Sequence, residues 1–140
     1  MVVVNKVLAL SSTSRRELID ITDTVTRFVR EQDVTDGICT ISAPHATAAI
    51  IANEDERGLV HDLLAKIEDL FPSSARYAHN AIDDNADAHI AASFLGHSRA
   101  FTIANGRLIR GTWQNIFLVE LDGPRSHREV HLQVMGESKK

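Results

Sequence analysis

Hydrophobic positions follow two rhythms along this chain, one suited to strands and one to helices. Residues 2–10 are rich in valine and leucine, which predicts a strand. Ser14-Arg15-Arg16-Glu17 has the spacing of a capping box. Leu18, Ile21, Val25, Phe28 and Val29 then recur on one helical stripe, so a helix is expected from there to about Glu31. Asp36-Gly37 marks a turn, and residues 37–42 and 47–52 read as strands with Pro44-His45 at their junction. A second helix is expected to begin at Asn53, with Glu54, Asp55 and Glu56 in its first turn, where the helix dipole favours acids. Leu59, Leu63, Leu64, Ile67, Leu70 and Phe71 would form its apolar face, and Pro72 would stop it.

An irregular connection over residues 73–83 leads into a third, shorter helix over residues 88–95. Asp84 or Asn85 would cap it and Gly96 would end it with a left-handed residue. Beyond Gly96 the period changes to two. Strands are expected at residues 100–104, 108–111, 116–121 and 129–135, with Asn105-Gly106 as a hairpin turn. Residues 137–140 read as a frayed tail. No repeat or linker interrupts the chain, so a single domain over residues 1–140 is expected. Its architecture is α+β, a mixed sheet or sandwich with about three helices, and its sheet should include both the first strand and the last.

Composition narrows the function classes. The 140 residues are 44% hydrophobic and 24% charged, with a formal net charge of −4, an ordinary globular mixture. No basic tract with interleaved aromatics suggests nucleic acid. No apolar run reaches bilayer length, and the first residues lack the pattern of a signal peptide. Cys39 is the only cysteine, so no internal disulfide forms. A reducing, cytoplasmic setting is the expectation. Seven histidines stand out.

Two of them bracket the most unusual stretch. Between His79 and His89 lie three aspartates and two asparagines, at the start of the third helix. Imidazole and carboxylate are ligands for zinc and similar ions, and a helix start favours anions. His45, His79 and His89 therefore form a candidate metal site, although each can also hydrogen-bond locally. Asp83, Asp84 and Asp87 could hold Mg²⁺ against a substrate phosphate; equally, Asp84 can cap the helix and Asp87 complement its dipole. A third group runs from Gly106 to Asn115. Arg107 suits bidentate phosphate binding, Thr112 and Gln114 offer neutral contacts, and Trp113 could stack on a planar ring; the plainer reading is a hairpin with Trp113 in the core or at a subunit contact. Thr47 beside His45 lacks a nucleophile-elbow pattern, and Cys39 sits in an apolar strand where an inert thiol is expected.

Several of these residues together resemble the YjbQ family, also called secondary thiamine-phosphate synthases. The resemblance covers nearly the whole chain. It rests on His45-Ala46-Thr47-Ala48, Asn53-Glu54, His79, residues 84–89, Gly96, Gly106-Arg107, Gly111-Thr112-Trp113-Gln114, Glu120 and Arg128. It implies a compact α+β homotrimer with a cleft where His45, His79 and His89 bind a divalent metal, zinc foremost and magnesium with a phosphorylated substrate. Glu54, Asp84 and Asp87 would then be the catalytic group, and Arg107, Thr112, Trp113, Gln114 and Asn85 the substrate contacts. The family pattern usually carries Thr or Ser where this chain has Ala46, so a hydroxyl role is absent there. The implied activity joins a pyrimidine diphosphate to a thiazole phosphate. Hydrolysis of a small phosphorylated or acylated metabolite, and non-enzymatic metabolite binding by a trimer, are the alternatives.

Overall fold

The computed structural model describes residues 1–138. Two antiparallel sheets stack face to face. The larger has five strands in the order β1-β8-β3-β5-β6 and the smaller three in the order β2-β7-β4. In chain order the elements are β1 (Val2–Leu10), β2 (Glu17–Asp20), α1 (Thr22–Glu31), β3 (Val34–Ser42), β4 (Ala48–Asn53), α2 (Arg57–Leu70), a 3₁₀ turn (Ala78–Ala81), α3 (Ala86–Leu95), β5 (Ser98–Ala104), β6 (Arg107–Leu108), β7 (Asn115–Glu120) and β8 (Arg128–Ser138). The first and last strands pair antiparallel from Val2↔Gly136 to Leu10↔Arg128, as expected.

The main core lies between the sheets. Val25, Phe28 and Val29 of α1 pack there with Ile41 of β3, Ile50 of β4, Leu118 of β7 and Val130, Leu132 and Val134 of β8. A second core covers the outer side of the small sheet, where Ala88, Ala91 and Ala92 of α3 meet Ala49, Val119, Leu121 and Ile67. The alanine side of α3 permits close approach to the sheet, because nothing larger than a methyl intervenes. Alternation along β8 sends Arg128, Val130, Leu132 and Val134 inward and leaves His131, Gln133 and Met135 on the open face. Arg128 therefore occupies a core position.

Five local expectations are corrected. Residues 17–20 are a strand, not the first turn of α1. Glu17 does accept from the Ser14 N–H at 3.3 Å and the Thr13 N–H at 2.9 Å, but in a turn, and Leu18-Ile19 pair with β7. The helix α2 begins after Glu56, whose carboxylate accepts from Gly58 and Leu59 N–H; Asn53 belongs to β4. Its apolar face is shallow, because α2 lies at the periphery: only Ile67 is buried, and Leu70 is 59% exposed. The strand expected at residues 108–111 is reduced to β6. Past Ile109 the chain turns, with Gln114 N–H donating to the Gly111 carbonyl. Of the supposed tail, Glu137 and Ser138 belong to β8, and residues 139–140 lie outside the described residues.

The Asn105-Gly106 turn is as expected. Both residues have positive φ (52° and 76°), which suits the twist of the two strands it joins. Gly123 is needed for space. A Cβ there would lie 2.1 Å from the Ser14 carbonyl oxygen and 2.8 Å from Ser12 Oγ. The loop after β7 thereby lies directly on the chain segment after β1, which brings Asp122 beside Arg15.

Candidate functional site

Polar side chains gather where β7 ends and α3 begins. Glu120 and Arg128 form their base. Glu120 is fully buried and Arg128 nearly so. Arg128 Nε donates to Glu120 Oε1 at 3.0 Å, and its Nη2 donates to Glu120 Oε2 and to Thr47 Oγ1. Ser12 Oγ donates to Glu120 Oε1, and the Asp122 N–H to Oε2. Burial pushes the Glu120 carboxyl up, but the Arg128, Ser12 and Asp122 donors together hold it below its usual range.

Asp122 carries the chain of contacts outward. Its Oδ2 accepts from Arg125 Nη2 and from Asn85 Nδ2, both at 2.8 Å. Asn85 Oδ1 lies 3.1 Å from His79 Nε2. These contacts fix the orientation of Asn85, since its amide nitrogen must donate to the carboxylate. Its oxygen then needs a donor, and neutral His79 must carry its proton on Nε2. The lone pair is left on Nδ1. The His79 and His89 rings meet edge to face, 4.9 Å between centroids, and the His89 ring has no hydrogen-bond partner among the described residues. Asp83 stands close by. Its carboxyl is held low by the Asp84 N–H first, with a smaller contribution from His79 and His89.

The other expected residues are distributed differently. His45 Nε2 accepts the Glu129 N–H at 2.9 Å, so in its neutral form the proton sits on Nδ1 and no lone pair is free. Burial first, then Arg128, lowers its pKa and keeps it neutral. Among the described residues, no three His, Cys, Asp or Glu side chains of this chain converge on one point as an ion would require. Asp87 is buried, and both its oxygens are taken, Oδ1 by Arg15 at 2.9 Å and Oδ2 by Arg16 at 2.7 Å. Asp84 is exposed.

Glu54, Arg107, Thr112, Trp113 and Gln114 lie toward the far end of the small sheet. Asn53 pairs with Asn115 there, whereas Glu120 ends β7 on the histidine side. Five strand steps separate the two ends of β7, roughly 17 Å. Trp113 is 70% exposed, neither core nor stacked, and Gln114 Oε1 accepts the Gly111 N–H of its own turn. Cys39 is an inert buried thiol as expected, raised to about 11 by burial. His127 and His131 both bind the carboxylate of Glu129 on the open sheet face.

Arg15, Arg16 and Ser12 are the site residues that sequence reasoning missed. The doubled arginine was visible, but it was absorbed into an apparent helix start. Asp122 and Arg125, in the loop after β7, join the site through Asn85.

Residues 6–137 match the model of a protein family described as UPF0047 protein YjbQ-like. A UPF0047 protein of Archaeoglobus fulgidus is 44% identical over 88% of this chain and 95% of its own. The UPF0047 protein YugU of Bacillus subtilis is 37% identical over 94% and 98%. The crystal structure of a YbjQ-like protein of unknown function from Sulfolobus solfataricus superposes with a TM-score of 0.95 at 50% identity, covering 96% of this chain and 98% of that one. The two-sheet, three-helix architecture described above is thus shared with solved relatives.

Proposed function

Because the chain belongs to the UPF0047 YjbQ-like family, we propose that it is an enzyme of small phosphorylated metabolites, with the His79–His89 pair as its reactive centre. The two rings anchor a divalent ion, zinc by the preference of imidazole. The observation that carries this reading is the run from His79 through Asn85 to Asp122. A histidine that donates one ring N–H into an acceptor backed by a carboxylate is the usual arrangement of a metal-ligating histidine, and here a second imidazole lies 4.9 Å away between ring centroids. The fit is partial within one chain. His79 and His89 offer two donors, whereas a catalytic zinc takes about three from protein. His45 would have to release the Glu129 N–H to become the third.

A bound ion would supply Lewis acidity toward a phosphoryl or carbonyl oxygen. The chain's own residues do the rest. Asp122 and Asn85 hold the His79 proton on Nε2. Arg125, about half exposed, puts a guanidinium on the same Asp122 carboxylate that holds Asn85, where a substrate phosphate can reach it. Asp87 acts by fixing Arg15 and Arg16. Hydrolysis of a phosphorylated or acylated metabolite requires only this centre. Condensation of a pyrimidine diphosphate with a thiazole phosphate also needs a ring-stacking surface. Trp113 lies near the far end of β7 from His79 in its own chain, so that reaction requires the Trp113 loop of another copy. Phosphate release from a panel of phosphorylated metabolites, run beside the condensation assay, separates the two readings.

Assembly as a homotrimer fits the same picture. The open face of the large sheet carries Val3, Val7, Ile38 and Met135, all exposed apolar residues. Covering them with a second copy hides that surface and brings separated loops together. Light scattering at micromolar concentration is expected to return three times the 15.4 kDa chain mass; a monomer under those conditions contradicts it.

Asn85→Ala tests the role of the relay. It removes the acceptor that holds the His79 proton on Nε2 and is expected to weaken zinc binding about 10–100-fold, the usual effect of losing such a partner. Competition titration against a chelating dye measures it. Unchanged affinity would separate the relay from metal binding.

A further inference from the structure

We infer that the cleft between α1 and the β5–β6 hairpin is a separate anion site that takes the phosphate group of a small molecule. It is a cavity of about 360 Å³ lined by Asp23, Thr26 and Arg30 of α1 and by Arg107, Leu108 and Arg110 of the hairpin segment. That volume suits a small ligand. Three guanidiniums face one carboxylate across it. Arg30 and Arg107 have no ion pair or side-chain hydrogen bond among the described residues. Arg110 uses only Nη1, on the carbonyls of Gly111 and Gln114.

Where arginines gather elsewhere in the molecule, acids match them. Arg15, Arg16, Arg125 and Arg128 are each bound to a carboxylate. A chain with a net charge of −4 has acids to spare, yet none among the described residues forms an ion pair with this group. Helix polarity accounts for Arg30, which lies in the last turn of α1. It does not account for Arg107 and Arg110. Like charges gathered without a partner repel one another, and a dianion between them reverses that cost. Allowing for Asp23, the cavity carries an excess of two positive charges, which matches a phosphate monoester or one end of a diphosphate.

The hairpin presents Arg107 on a firm support. Asn105 and Gly106 form its tight turn, and the Gly106 N–H donates to the Thr35 carbonyl at 3.0 Å, which ties the turn to β3. A guanidinium can bind two phosphate oxygens at once. The site needs no metal and rests on no part of the histidine reading.

The test uses the full chain, freed of metal with a chelator, and inorganic phosphate and pyrophosphate as probes. Calorimetry at low salt is paired with the fluorescence of Trp113, the only tryptophan, three residues beyond Arg110. Saturable binding is expected at one site per chain, accompanied by a change in Trp113 emission. Arg107→Gln and Arg30→Gln should each weaken it at least tenfold and leave the circular dichroism spectrum unchanged, because both side chains are exposed. His89→Ala should bind as the parent does. Absence of saturable binding at millimolar probe overturns the site, as does binding that survives the Arg30→Gln, Arg107→Gln double variant. Binding that disappears in His89→Ala but persists in the arginine variants assigns the phosphate to the histidine centre instead.

Discussion

Glu120→Ala is expected to cost about 3–5 kcal/mol of folding stability, the range seen when one partner of a buried ion pair is removed. Arg128 would be left as a buried charge with Thr47 as its remaining partner, and Ser12 Oγ and the Asp122 N–H would lose their acceptor. No water reaches these groups easily, because Glu120 is fully buried and Arg128 is 4% exposed. The pH dependence has a definite sign. The folded-state pKa of Glu120 is depressed, so its contribution is complete above the unfolded glutamate value, about 4.3. It is lost as pH falls through the lower, folded value. Urea unfolding of the parent should therefore show stability falling below about pH 4, and Glu120→Ala should show a smaller fall over the same interval. A cost under about 1 kcal/mol at pH 7 would show that the pair contributes little once formed.

The position of this pair was partly legible in the sequence. The alternation Arg128, Val130, Leu132, Val134 puts an arginine in phase with core residues, and such a residue needs a buried acid. Nothing local names Glu120 as that acid. The strand β1 was readable because its valines and leucines suit no other element as well. Residues 14–20 were misread for an instructive reason. Ser14 and Glu17 do make the contact that a capping box would make, and Leu18, Ile21, Val25 and Phe28 are spaced by three and four residues. What decides the conformation is the register of Leu18 and Ile19 against Val119 and Leu118. Pairing across a hundred residues overrides a local preference.

The candidate histidine cluster was visible in the sequence as a density of residue types, and its arrangement was not. The density of His and Asp over residues 79–89 pointed to the start of α3, where the His79 and His89 rings meet. Asn85 looked like a helix cap; its side chain makes no cap bond and faces Asp122, 37 residues away. Asp87 looked like a dipole acid or an ion ligand, and it is bound to two arginines more than seventy residues earlier. His45 looked like a ligand, and its lone pair is engaged by the backbone of β8. Each of these pairings is set by the stacking of the sheets, on which local spacing carries no information.

His79→Ala and His89→Ala are expected to reduce zinc affinity by more than about 100-fold each, beyond the effect of losing a supporting partner such as Asn85. Either change removes one of the two imidazoles in mutual contact. Fold and stability should change little, because His79 is exposed and His89 half-buried. His131→Ala is the matched control, since its ring is on the open sheet face with Glu129.

The most direct measurement is the metal content, by elemental analysis, of the untagged protein purified without a metal-affinity step, set beside His89→Ala and His131→Ala prepared identically. A stoichiometric divalent metal is expected in the parent and in His131→Ala, and its loss in His89→Ala. Equal metal content in all three proteins, or none in the parent after reconstitution with zinc, would contradict it.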